Sequence, residues 1–274
     1  MKNDNASIGL TADKSFKTVD VVEFKAGDMR AKNISIAEEI PLTIYLNEKE
    51  IVTLLCTNTD IYELVIGFLA SEGFISGFKD IKSIEINKKK GIALAATKSE
   101  KKIAEKLFLK RLIATGCGRG TSFYNFLDPV NIKKISFKKN NINILNKEVL
   151  LLMDDFLKLG IGYKETTATH SAALANKDGI TVFKEDIGRH NALDKLLGFS
   201  IKNNIKTEDM YLLTTGRITS EMLIKAAKIG TAIVISRSSP SILALTLAND
   251  LGVTIIGRVI KDRFFVYSES YRVL

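Results

Sequence analysis

Apolar and polar residues alternate from Phe16 to Lys25, where Val19, Val21 and Phe24 stand among charged neighbours, and this period of two predicts a strand. Two apolar runs, 42–46 and 51–56, flank the polar stretch Asn47-Glu48-Lys49-Glu50 and read as a hairpin. The period then lengthens. Ile61, Leu64, Val65, Phe68 and Leu69 recur at helical spacing behind Thr59 or Asp60, either of which can cap a helix. Runs 81–87 and 91–97 flank Lys88-Lys89-Lys90 as a second hairpin, and a charged, helix-like run follows over 100–112. Residues 16–112 thus read as one small α+β domain, preceded by a polar segment 1–15 that is disordered or loosely attached.

Residues 113–130 break the pattern. ATGCGRGTSFYNFLDP sets three glycines around one cysteine with no sustained period, which is loop chemistry. From 131 to the end a different regime holds: a short basic strand pair (132–145), a helix (146–159), then strands at 167–175 and 180–184 joined by a turn at 176–179. The remainder alternates: helix 190–201, strand 210–215, helix 219–229, strand 232–236, helix 240–251 with Pro240 at its first position, and strands 253–257 and 263–267. Strand–helix–strand alternation predicts a largely parallel sheet with helices on its faces, so the fold class is α/β. No solenoid-type repeat is visible.

Composition narrows this picture. Two cysteines among 274 residues rule out a disulfide framework, and four Cys and His in total, widely scattered, rule out a structural zinc site; no metal is expected. No stretch of 18 apolar residues occurs and the first residues lack an apolar signal core, so the expectation is a cytoplasmic protein without a membrane span. The net charge of +9 is uneven: residues 79–147 hold 17 Lys/Arg against 5 Asp/Glu, a local excess of +12 (17 − 5). Such a band suits an anionic partner (nucleic acid, a nucleotide-containing cofactor or an acidic protein face) or is a solvated lysine-rich surface. It carries no interleaved aromatic motif of the single-strand-binding kind, so no nucleic-acid partner is expected.

Candidate chemistry falls on four segments. In the α/β part, two strand-to-helix turns occur twenty residues apart, Gly216-Arg217 before Thr219 and Arg237-Ser238-Ser239 before Pro240. As parallel neighbours they lie at one sheet edge, and each offers a helix N-terminus and an arginine to a phosphate; alternatively Arg217 and Arg237 pair with nearby carboxylates. The run Glu185–Lys195 clusters polar groups before a helix. Asp186 can cap the turn, and Asp194 lies one helical turn beyond His190, forming either a His–Asp pair or a carboxylate able to read a guanine edge. His170 stands among small residues that admit a close approach. Cys117, between Gly116 and Gly118 with Arg119 near, sits where cations favour the thiolate, whereas Cys56 ends an apolar strand and reads as a packing residue.

EDIGRHNALDKLLG, with THSAALA upstream, TTGRITSEMLIKA and SRSSPS downstream and GFLASEGFI near the start, resembles the FdhD family of formate dehydrogenase accessory sulfurtransferases, collinearly from about Phe16 to the C-terminus. The resemblance implies a homodimeric sulfur carrier that accepts persulfide sulfur from a cysteine desulfurase. It would pass that sulfur to the bis(molybdopterin guanine dinucleotide) form of the molybdenum cofactor, destined for formate dehydrogenase. It also implies a cytidine-deaminase-like three-layer α/β/α domain over 131–274 that binds the guanine nucleotide parts, for which GDP is a mimic. The family's persulfide cysteine falls on Cys117. Its cofactor-binding segment falls on Val259, Ile260, Lys261, Asp262, Arg263 and Phe264. On this reading Arg217, Arg237, Lys261 and Arg263 offset pyrophosphate charge, while His170, His190 and Asp194 hold the guanine end.

Two departures sharpen the expectation. The family loop carries Cys-Gly-x-Cys-Gly, and here Gly120 stands in the second cysteine position. One thiol can still hold a persulfide, but release as sulfide then needs an external thiol; a cofactor-delivering chaperone without sulfur relay is the alternative. His170-Ser171-Ala172 also lacks the glutamate of zinc deaminases, and no Pro-Cys-x-x-Cys occurs, so deamination is excluded despite the implied fold.

Overall fold

The computed structural model of the protein describes residues 15–98 and 136–274. Cys117, the loop 113–130, the run 100–112 and most of the first fifteen residues lie outside them. Ser15 is described and is buried, its carbonyl accepting from the Glu38 N–H.

The first strand forms as the alternation predicts, β1 (Phe16–Lys25), but it pairs with a strand not foreseen, β2 (Asp28–Ala37). Ala26 and Gly27 both take positive φ between them, the twist a two-residue hairpin turn needs. A four-stranded sheet follows, ordered β4-β3-β6-β5, from β3 (Ile40–Leu46), β4 (Lys49–Cys56), β5 (Ile81–Asn87) and β6 (Ile92–Thr97). The β3–β4 turn is tighter than its four polar residues suggest. Only Asn47 and Glu48 form it, both at positive φ. Leu42, Ile44, Leu46, Ala93 and Ala95 send one face of this sheet into a core shared with α1 (Ile61–Ser71).

The second half begins with α2 (Asn146–Leu159), at the bounds its pattern predicts, followed by an unforeseen short helix α3 (Ile161–Thr166). No strand pair forms over 136–145; Ile144 alone bridges Val273. Next come β7 (His170–Asn176), β8 (Gly179–Asp186), α4 (Arg189–Lys202), β9 (Tyr211–Thr214), α5 (Ser220–Ile229), β10 (Ile233–Ser236), α6 (Ile242–Leu251), β11 (Thr254–Ile260) and β12 (Arg263–Val266). They build a six-stranded sheet ordered β12-β11-β10-β9-β7-β8. The expectation of a largely parallel sheet is corrected: only β9–β10 and β10–β11 pair parallel, and the other three pairings are antiparallel. The hairpin β7–β8 and the returning β12 need no crossover helix, which is why they run antiparallel. Alternate residues divide between two faces. Leu212, Val234 and Ile255 pack under α4, α5 and α6, while Leu213, Ile235 and Ile256 face α2.

The halves meet along α1 and α4. A Cβ on Gly67 would lie 1.7 Å from the Asp194 carbonyl oxygen, and one on Gly198 would lie 1.8 Å from that of Glu63. The two helices therefore touch backbone to backbone, and only glycine fits. Gly198→Ala should cost about 3 kcal/mol of folding stability, the upper range for overpacking. Chemical denaturation checks this; an unchanged midpoint would contradict the crossing.

Candidate functional site

The carboxyl ends of β9 and β10 sit side by side, Thr214 opposite Ser236. Beyond the strands the two turns remain laced. Arg237 N–H donates to the Thr214 carbonyl (3.2 Å), Ser236 Oγ to Gly216 (2.8 Å), Ile218 N–H to Ser239 (3.2 Å) and Ser241 N–H to Ile218 (3.0 Å). Pro240 does not open α6 as predicted. It bridges Ile218 as an extension of the ladder, and Ser241 is the N-cap, accepting from Ala244 N–H at 3.3 Å. Thr219 caps α5 in the same way. Arg217 and Arg237 both end exposed, and neither makes an ion pair among the described residues, so the alternative of paired, loop-supporting arginines is not realised.

His170 begins β7 opposite Asp186, at the same edge, with Nδ1 3.4 Å from Thr215 Oγ1. Burial, then the positive charges of Arg189 and Arg217, push its pKa down. His190 follows at the start of α4. Burial, then Lys225, Arg189 and His170, push its pKa down to about 3, so it is neutral at physiological pH. The segment 259–264 closes this edge: β11 and β12 turn at Lys261, at positive φ, and Arg258 N–H donates to Ser238 of the neighbouring turn (2.9 Å). Ile260, Lys261, Asp262 and Arg263 are exposed at its tip, Phe264 is half-buried, and Val259 points into the core below.

The carboxylates of the polar cluster are committed elsewhere. Asp186 is fully buried. Its Oδ1 accepts from Gly188 N–H and Asn191 Nδ2 (2.9 Å each), and its Oδ2 from Thr57 N–H (3.1 Å), Thr57 Oγ1 (3.0 Å) and Lys195 Nζ (2.7 Å). It caps the turn as predicted and also ties it to the end of β4. Glu185 accepts from Gly162 N–H, Tyr163 N–H, Thr169 and Ser171. Asp194 requires correction. It neither pairs with His190 nor faces this edge, because both its oxygens accept from Lys225 Nζ (2.6 and 2.7 Å) in a buried junction with Ser71. His190 instead lies 3.7 Å from Glu221. The carboxylates of this run are thus engaged by donors within the protein.

Two arginines at this edge, Arg189 and Arg258, were not singled out from the sequence. Arg189 sits inside the segment GRHNALDK and could have been suspected there; Arg258 holds positive φ, which no sequence period signals. Cys56 is fully buried as expected, and burial followed by Asp186 pushes its thiol up to about 12. Among the described residues no group of His, Cys, Asp and Glu could hold a metal ion, and no helix is long and apolar enough to cross a membrane.

Fold and site together define a mixed α/β protein with a cation-lined edge at the carboxyl ends of parallel strands, where open α/β sheets take their ligands. The profile of the FdhD/NarQ family matches residues 37–274, and the chain belongs to that family. It is 39% identical over 253 residues to a protein of Staphylococcus haemolyticus named "Sulfur carrier protein FdhD", a match covering 92% of this chain and 95% of the relative. The Staphylococcus aureus protein of that name is 40% identical over 256 residues, 93% of this chain and 95% of the other. The fold is similar to a crystal structure from Desulfotalea psychrophila, described as that of a candidate formate dehydrogenase accessory protein. There the TM-score is 0.76 at 26% identity, covering 95% of this chain and all of that one.

Two predictions follow from these environments. With its pKa pushed up to about 12, Cys56 stays a thiol at pH 8, so iodoacetamide should leave it unmodified in the folded protein and label it after denaturation, as read by peptide mass mapping. His190 has a folded pKa near 3 against an ordinary 6.5. Between those values the unfolded chain binds a proton that the folded chain does not, so stability falls as pH drops from 6.5 toward 3. An NMR titration should show the His190 ring neutral at pH 5; a midpoint near 6.5 would refute its burial.

Proposed function

We propose that the chain is a sulfur carrier that matures formate dehydrogenase. It would accept persulfide sulfur from a cysteine desulfurase on Cys117 and transfer it to the bis(molybdopterin guanine dinucleotide) molybdenum cofactor held at the cleft. The observation that carries this reading is the pair of laced turns presenting Arg217 and Arg237, unengaged among the described residues, beside two uncharged histidines. Family membership and the names of the relatives support the sulfur-carrier role. The strand order, an antiparallel hairpin beside parallel strands with helices on both faces, supports the cytidine-deaminase-like reading of 131–274. The cytoplasm and a homodimer complete the proposal.

The Cys117 thiolate attacks the outer sulfur of the donor persulfide. The donor's S–S bond breaks, a new one forms on Cys117, and the donor leaves as a thiolate with no net redox change. Release as hydrosulfide requires a second thiol to attack Cys117 Sγ, forming a disulfide and supplying the two electrons. Gly120 occupies the place of the second loop cysteine, so that thiol belongs to another molecule. At the cleft, arginines and the exposed Lys261 and Arg263 meet phosphate oxygens. Asp262, exposed at the hairpin tip, lies in the segment 259–264 that the family resemblance assigns to the cofactor. His170 and His190, being neutral, lend hydrogen bonds without adding charge.

Incubation with a desulfurase and cysteine should add the mass of one sulfur atom to the Cys117 peptide, and Cys117→Ala should abolish both the adduct and formate dehydrogenase maturation. Gly120 favours a second reading, a chaperone that delivers the cofactor without relaying sulfur. No adduct together with intact maturation by Cys117→Ala would establish that reading instead. GDP should bind more tightly than ADP by calorimetry; equal affinities in the wild type would defeat the guanine assignment.

A further inference from the structure

We propose that Arg189 is the principal anion-receiving side chain of the cleft, its guanidinium taking phosphate oxygens of a nucleoside diphosphate group. This rests on the cleft reading above and adds to its exposed cations one that is part-buried. Arg189 is the first residue of α4, directly after Gly188, whose N–H is fixed by Asp186. Its stem lies along the Arg217 turn: a Cβ on Gly216 would come within 3.1 Å of Arg189 Cβ and 3.2 Å of its Cδ. The absent side chain at 216 is thus the space that Arg189 fills.

Arg189 is part-buried, and its Nε is cut off from solvent with no hydrogen-bond partner. No carboxylate pairs with it among the described residues. The other buried cations are matched. Lys184 pairs with Asp60, Lys195 with Asp186 and Lys225 with Asp194. Arg272 also leaves Nε unbonded, yet its two terminal nitrogens donate to Gly252, Thr254, Phe137 and Asn140. An unmatched, half-desolvated cation is costly, and a bound anion offsets that cost. Its neighbours fit the same use. His170 and His190 are held neutral first by burial and then, among other cations, by Arg189 itself, while Glu185 and Asp186 are saturated by other donors. Glu221 lies beside His190, and among the described residues no carboxylate forms an ion pair with Arg189. The guanidinium fork matches a phosphate, with two parallel N–H donors.

The test uses the full chain with GDP and inorganic pyrophosphate as probes, read by calorimetry and thermal melting. Arg189→Met keeps the stem and removes the charge. It should melt at the wild-type temperature or above, lose about tenfold or more in affinity for both probes, and lose the probe-induced rise in Tm. Arg189→Lys should retain part of the affinity. Gly216→Ala, which displaces the stem and leaves the charge, should weaken binding in the same direction, and it serves as the readout if Arg189→Met does not fold. A lower Tm for Arg189→Met with unchanged affinity would make the residue structural and overturn the proposal, as would loss of GDP binding with pyrophosphate binding intact. Wild-type chain that binds neither probe would overturn the cleft reading and this assignment together. Wild-type binding with an indifferent Arg189→Met would overturn this assignment alone.

Discussion

The buried Asp186–Lys195 pair is the constraint on which the rest of the structure hangs. Asp186 ends β8 and fixes the first turn of α4 through Gly188 and Asn191, while Thr57, at the end of β4, reaches the same carboxylate from the other half of the molecule. Lys195 closes the loop by donating to Thr57 and to the Glu185 carbonyl. A buried ion pair of this kind adds little net stability over apolar residues of the same shape, yet removing one partner costs about 3–5 kcal/mol. Its contribution here is positional. It sets where α4 begins, and therefore where Arg189 and His190 stand relative to the β9 and β10 turns.

That positioning explains the electrostatics of the edge. Glu185, Asp186 and Asp194 are drawn into internal contacts, which leaves Arg189 and two neutral rings nearby without them. Two further lysines are absorbed in the same way, Lys184 by Asp60 and Lys225 by Asp194, both at the seam between the halves. Lys228, beside them, is buried enough that its pKa is pushed down to about 8, and it donates to the Ser71 carbonyl. The cations left facing solvent at this edge pair with no carboxylate among the described residues.

Much of this was legible in the residue order, and what was not has physical causes. The helices α1, α2 and α5 lie where the 3.6-residue period and Thr219 put them, because one face of each is apolar and buried. Strand β2 was invisible because it is largely exposed on both faces, so its sequence carries no clean alternation. The two laced turns were readable from Gly216-Arg217 and Arg237-Ser238. The fate of Asp194 was not: an i, i+4 spacing from His190 is local, whereas its actual partner, Lys225, lies 31 residues on and arrives only through the packing of α5. Pro240 misled for a similar reason, since the ladder between the turns extends past the strands and takes the proline before the helix starts.

Ala70 and Ile201 pack against both the core under the four-stranded sheet and the core beneath α4, α5 and α6. With α1 and α4 in backbone contact, neither core can lose its boundary helix without exposing the other. The thermodynamic consequence is cooperativity: the described halves share one unfolding transition, with the calorimetric enthalpy equal to the van't Hoff value. A truncation at the seam would yield two incomplete cores in place of two working modules.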